Sequence, residues 1–169
     1  MSATAPSGKA SGQKRHEALA GKYLTFFLAG EEYGIEILKV QEIIGTMPIT
    51  RVPRTPPYTR GVINLRGKII PIIDLRLRFR MSAAEQTDET CIVVVRSAGV
   101  VMGLIVDRVS DVLAVAADQI DDVPSFGIDI DTDFLLGIGK SEGKVKLLLD
   151  IDRVLARGDS QALAELQQG

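Results

Sequence analysis

Tryptophan is absent from this chain of 169 residues, and histidine and cysteine occur once each. The single Cys91 excludes an internal disulfide framework and a CxxC zinc site, and it fits a reducing compartment. The single His16 lies in a leader of Ser, Gly, Ala and Lys that has no means of burying a core, so no ordered histidine is expected. That excludes Ser-His-Asp and Cys-His mechanisms and any His-ligated metal. Long apolar runs are lacking too. The longest, Ala98 to Val106, contains two glycines and falls well short of the ~20 residues that span a bilayer. The N-terminus has no apolar h-region, so secretion is not expected.

What is present describes an ordinary soluble globular chain. Hydrophobic residues make up 46%, and 20 Lys and Arg against 22 Asp and Glu leave a formal charge of −2. The length corresponds to about one domain. Residues 1–20 read as a flexible tail. From Lys22 onward, short apolar runs alternate with Gly, Pro and Asp. Tyr23 to Leu28, Gly34 to Ile37, Val62 to Leu65, Ile69 to Asp74, Cys91 to Val95, Val100 to Val106 and Val145 to Leu149 read as strands. Between Ile35 and Ile44 the apolar spacing fits neither period, which predicts a strand that kinks near Leu38 and Lys39 and then resumes. Ile151 to Gln168 reads as a helix broken near Gly158.

The most informative feature is an internal repeat. Gly34-Ile-Glu-Ile-Leu-Lys-Val40-Gln-Glu42-Ile43 matches Gly103-Leu-Ile-Val-Asp-Arg-Val109-Ser-Asp111-Val112, and Ile49 to Pro53 matches Ile120 to Pro124. Gly61 to Leu75 then matches Gly137 to Ile151, both with glycines six apart, Lys after the second and Asp seven beyond it. Each half therefore carries a hairpin, turning through Arg66-Gly67-Lys68 or Glu142-Gly143-Lys144. Roughly five short strands per half would close best as a small barrel, because closure removes unpaired edges. The fold class expected is mainly β: two similar five-stranded barrel lobes packed together, with short helical segments and a C-terminal helix.

Charge is uneven. Met47 to Arg80 holds eight basic residues against Asp74 alone, and Asp118 to Asp133 holds six Asp and no base. Two readings follow: loop faces that attract each other across the lobes, or docking surfaces for charged partners. A nucleic-acid binder using the 47–80 segment is the alternative function, although no Lys/Arg–aromatic interleaving offers a stacking platform. Gly139-Lys140-Ser141 fails as a phosphate loop because Phe134 stands where its first glycine belongs. Asp129, Asp131 and Asp133 fail as a calcium loop, with Phe134 at the glycine position and Lys140 at the glutamate position. Cys91 opens an apolar strand and reads as an inert buried thiol. Paired carboxylates remain available for an enzyme, but nothing in the spacing selects a pair.

The segments Glu32 to Ile44, Gly61 to Leu75 with its Asn-Leu-Arg-Gly hairpin, and Val106 to Val112 closely resemble the CheW family of bacterial chemotaxis coupling proteins. The resemblance covers residues 22–156. It implies two intertwined SH3-like five-stranded barrels and no catalytic activity or cofactor. It implies as partners the regulatory domain of the CheA histidine kinase and the cytoplasmic tips of methyl-accepting chemoreceptors, with neither nucleic acid nor membrane insertion. The location implied is cytoplasmic, at membrane-anchored receptor arrays. The corresponding division is a CheW-like domain at 21–157, its first lobe at roughly 33–80 and its second at roughly 90–151, with strand exchange between them left open. Residues 158–169 complete the C-terminal helix.

By position, the resemblance assigns Val40, Glu42 and Arg66 to the partner-binding surface, and brings in Gly103, Val109 and Val112 across a groove between lobes. Each has a plainer reading. The valines fit a core, Gly103 fits a close backbone approach, and Glu42 with Arg66 fits an ion pair bracing the lobe. At the equivalent positions the second half has Asp111 and Glu142, two acids, so the first lobe is the specialised one.

Overall fold

The computed structural model describes residues 14–97, 99–123, 134–155 and 159–168. In chain order these form helix α1 (residues 14–19), strands β1 (Gly21–Leu28), β2 (Glu31–Glu36), β3 (Val40–Gly45), β4 (Thr59–Leu65) and β5 (Lys68–Asp74), and helix α2 (Leu75–Arg78). Strands β6 (Cys91–Ser97), β7 (Val100–Val106), β8 (Arg108–Val115), β9 (Ile120–Asp121), β10 (Leu135–Ser141) and β11 (Lys144–Leu149) follow, then helices α3 (Ile151–Val154) and α4 (Asp159–Gln168). The expected kink is a 3-10 turn at Ile37–Lys39, flanked by β2 and β3. The expected helix break falls between α3 and α4; Gly158 itself lies outside the described residues.

Two sheets form, ordered β3-β6-β7-β5-β4 and β8-β1-β2-β11-β10-β9. The first has an antiparallel hairpin β4–β5 whose second strand runs parallel to β7, itself paired with β6. The second repeats that plan with β10–β11, β2 and β1. Each sheet therefore draws strands from both halves of the chain. The repeat extends to single pairings: Thr50 bridges Val62 in one half, and Asp121 pairs with Ile138 in the other. The hairpin turns also agree, with φ of 52° and 86° at Arg66 and Gly67 and 54° and 76° at Glu142 and Gly143. Positive φ at both central residues matches the right-handed twist of the flanking strands, and glycine takes the second position without strain.

Alternation along the strands sorts the core. On β6, Ile92 and Val94 point into the first sheet's own curl, joining Ile63, Ile70 and Ile72. Val93 and Val95 point the other way, into the larger cluster between the sheets, with Phe26, Ile73, Met102, Leu104 and Leu149. A third cluster of Tyr23, Val115, Ile120 and Leu148 fills the curl of the second sheet. Strands buried on both faces explain the continuous apolar runs at 91–95 and 100–106.

Three expectations need correction. The sheets curl but are not closed barrels. In the first, the edges β3 and β4 meet through the Thr50–Val62 bridge and a Glu42–Arg66 ion pair, not a ladder. The intervening segment 46–58 contains four prolines, which cannot donate ladder hydrogen bonds. In the second sheet, the edge strand β9 is two residues long, which makes six strands where five were expected. Finally, His16 is ordered. It lies in α1 with Nε2 2.8 Å from Asp122 Oδ1, while the Leu19 carbonyl accepts a hydrogen bond from the Tyr23 hydroxyl at 2.7 Å. Leu19 packs against the third cluster, an anchorage that leader composition does not announce.

Candidate docking surfaces

Five of the six candidate site residues gather along two edge strands and one hairpin turn. Glu42 lies on β3 and Arg66 on the β4–β5 turn, and Arg66 Nη2 donates to Glu42 Oε2 across the seam. The side chains are 31% and 69% exposed, so the pair braces the seam while Arg66 still faces solvent. Val40 starts β3 and packs half-buried against the inter-sheet cluster, and Val109 on β8 does the same. Val112 on β8, opposite Leu24 of β1, is 46% exposed. Gly103 is not on the surface. It lies in β7, where an added Cβ would stand 2.6 Å from Ile92 Cγ2 and 2.7 Å from Ile72 Cδ1, so it supports the sheet from inside.

The structure adds apolar positions that the sequence reading does not single out. Leu38 on the β2–β3 turn is 96% exposed, and Ile43, Ile69 and Val145 are exposed as well. Through the repeat, Ile43 corresponds to Val112 and Ile69 to Val145. The same positions thus stay apolar and solvent-facing on both sheets. An isolated exposed aliphatic residue is ordinary; here the exposure recurs at equivalent positions of the two halves. The repeat register pairs Ile43 with Val112 and Ile69 with Val145 but gives no sign of their exposure.

Ion pairs tie each short helix to the opposite crossover. Arg76 on α2 bonds Asp107 at the β7–β8 junction through Nε at 2.9 Å and Nη2 at 2.5 Å. Asp107 also accepts from the Ala29 amide at 2.9 Å, which links this brace to the β1–β2 turn. The Arg76 hydrogen bond holds the Asp107 carboxyl below the usual range. At the equivalent position on α3 stands Asp152, bonded by Ser97 and by Lys39 at 3.3 Å, with its carboxyl likewise lowered, chiefly by Ser97. The helix positions of the two braces are equivalent in the repeat and their charges are reversed, while Lys39 stands one residue beyond the counterpart of Asp107.

Much of the basic segment is internally engaged. Arg60 bonds the buried Asp74 at 2.8 Å, Arg66 holds Glu42, Arg76 holds Asp107, and Arg78 donates to the Val154 carbonyl beneath the Tyr58 ring. These bases do not reach Asp121 and Asp122 of the acidic segment, which pair with Lys140 and with Arg15 and His16. Among the described residues no ion pair joins the two segments, and the nucleic-acid alternative is left without support. Residues 124–133, with Asp129, Asp131 and Asp133, lie outside the described residues.

Chemical readings gain nothing. A cavity of about 250 Å³ opens at the end of the first sheet's curl, with Met47, Ile49, Ile92 and Ile105 among its walls and the Arg60–Asp74 and Arg76–Asp107 pairs at its rim. Four of its five charged groups are bonded in those two pairs; the fifth is Glu85. Burial pushes the Cys91 thiol up, which keeps it protonated. Among the described residues, no group of His, Cys, Asp and Glu could hold a metal, and no helix is long and apolar enough to cross a membrane.

With this geometry in place, comparison with known proteins is decisive. A family model described as the CheW-like domain matches residues 22–159. The chain is 42% identical to the chemotaxis protein CheW of Klebsiella aerogenes, over 83% of this chain and 84% of that protein. It is 37% identical to its namesake in Rhizobium meliloti, over 88% and 96%. The crystal structure of the scaffolding protein TtCheW from Thermoanaerobacter tengcongensis superposes with a TM-score of 0.75 at 36% identity, covering 83% of this chain and 95% of that one. The chain therefore belongs to the CheW-like family.

Proposed function

We propose that the chain is a non-catalytic chemotaxis scaffold that couples the cytoplasmic tips of chemoreceptors to the regulatory domain of the CheA kinase. Each curled sheet serves as an SH3-like lobe, with lobes at roughly 33–80 and 90–151 exchanging strands inside a domain at 21–157. The seam of the first lobe, with Glu42 and Arg66, faces the kinase. Val40, Val109 and Val112 line the groove that receives the receptor, and Gly103 supports it from beneath. The protein works in the cytoplasm at receptor arrays, and it biases kinase activity by binding one receptor state more tightly than the other.

The match of residues 22–159 to the CheW-like domain carries this reading. The exposed aliphatic residues repeated on both sheets support it, because they give two faces and no chemistry.

Reconstitution tests it: a receptor fragment, CheA and this chain together should stimulate kinase autophosphorylation above either pair. Arg66→Glu is the sharp variant. Glu142 already occupies the equivalent turn position at φ 54°, so glutamate fits the backbone there. The change removes the seam brace and sets two acids side by side. Capture of one partner should fall about tenfold while circular dichroism stays native. Full affinity for both partners would remove Arg66 from the surface.

A further inference from the structure

The C-terminal helix α4 begins at residue 159, where the CheW-like match ends. It rests against β5 and β7 of the first sheet. The face that those strands turn toward the inter-sheet cluster, part of which α4 covers, is apolar: Pro71 and Ile73 on one, Val100, Met102 and Leu104 on the other, all buried. Along β5 the same face continues to Ile69, which is 38% exposed. Leu163 is fully buried in the inter-sheet cluster, Ala164 and Leu166 are half-buried, and Ala162 and Glu165 face solvent. At the helix start the Tyr58 hydroxyl donates to Asp159, and Arg78 lies over the Tyr58 ring at 5.4 Å while bonding the Val154 carbonyl.

We propose that this β5–β7 face is a helix-docking site, that α4 is its resident occupant, and that an amphipathic helix from a partner protein displaces it. The occupant defines the ligand. The face takes an aliphatic side chain where Leu163 sits, a second three residues on, and a carboxylate one turn before the first, to receive the Tyr58 hydroxyl. A helix of ten residues is below the length that is stable alone in water, so α4 unravels on leaving and returns only by repacking. A longer partner helix that also covers Ile69 buries more apolar surface than α4 does, and the exchange then favours the partner. In the free chain α4 shields the face, which makes docking a competition.

A fluorescent synthetic peptide carrying the sequence of residues 159–168 between helix-forming Ala/Glu/Lys turns is the probe, titrated into the full chain by anisotropy. Leu163→Ala, which weakens the resident helix, should tighten peptide binding about tenfold, the factor expected when a site free about a tenth of the time becomes fully free. Asp159→Ala should act in the same direction and leaves the core untouched. A peptide with serine at the Leu163 position should not bind. Hydrogen exchange on the wild-type chain should show the backbone amides of α4 losing protection at saturating peptide. Absence of binding, equal affinity for wild type and both variants, or α4 protection that persists at saturation would each overturn the proposal. Neither kinase nor receptor enters the experiment, so its outcome is separate from that of the scaffold reading.

Discussion

Gly103→Ala measures how a residue assigned to a docking surface acts from inside the sheet. The new Cβ would lie 2.6 Å from Ile92 Cγ2 and 2.7 Å from Ile72 Cδ1, whereas aliphatic carbons settle about 3.5 to 4.0 Å apart. Two fully buried isoleucines must therefore retreat by roughly an ångström inside a close-packed cluster. Overpacking of this kind costs about 1–3 kcal/mol, and the lower chain entropy of alanine in the unfolded state returns about 0.4–1 kcal/mol. A net loss of about 1–2 kcal/mol follows, or roughly 2–8 °C in Tm for a chain of this size. Gly34 is the internal control. It is the repeat counterpart, and its Cβ would meet Leu148 Cδ2 at 3.2 Å and Tyr23 Cβ at 3.4 Å, a shift of only tenths of an ångström. Gly34→Ala should change stability by less than about 0.5 kcal/mol. Thermal and urea unfolding followed by circular dichroism read both, and kinase capture by folded Gly103→Ala should match wild type. Equal stability of the two variants, or a larger loss at Gly34, would refute the packing argument.

Asp107→Asn removes a carboxylate whose folded pKa is depressed by Arg76, so the stability it supplies is present above its unfolded value of 3.8 and is lost as pH falls through the lower folded value. The gap in urea midpoint between wild type and this variant should be constant above about pH 5 and close below pH 3.8; a gap that widens in acid would contradict the brace. Lys146, 6% exposed and 3.7 Å from Glu32, occupies the position where the first half has the core residue Ile70. Lys146→Met alone should destabilise by about 3 kcal/mol by stranding Glu32, and Lys146→Met with Glu32→Gln should recover most of the loss, as a denaturation double-mutant cycle would read. Cys91 should react slowly with a thiol reagent at pH 8 in the folded chain and quickly after unfolding in urea, since burial disfavours its thiolate; equal rates would place it at the surface.

The repeat made the hairpins, their turns and the bend at Ile37–Lys39 legible, because glycine spacing and interrupted apolar periods are local signals. Which sheet each hairpin joins was not. β1, β2, β6 and β7 are apolar toward both sides, so their period cannot name a neighbour, and the choice is made by packing between distant segments. The order of α1 was hidden for a similar reason: the Asp122 partner of His16 lies 106 positions away. Of the site, Glu42 and Arg66 could be placed opposite each other by charge alone, and the structure joins them. The exposure of Ile43 and Leu38 could not be read, since an aliphatic residue in an edge strand or turn looks like core until its neighbours are known.

The two sheets are interlocked. A chain severed in the 81–90 segment would leave β1 and β2 covalently joined to β3–β5, yet hydrogen-bonded to strands of the other fragment. Neither portion retains a complete sheet, so neither can melt while the other stands. A force applied to one sheet is therefore carried by strands whose chain neighbours lie in the other.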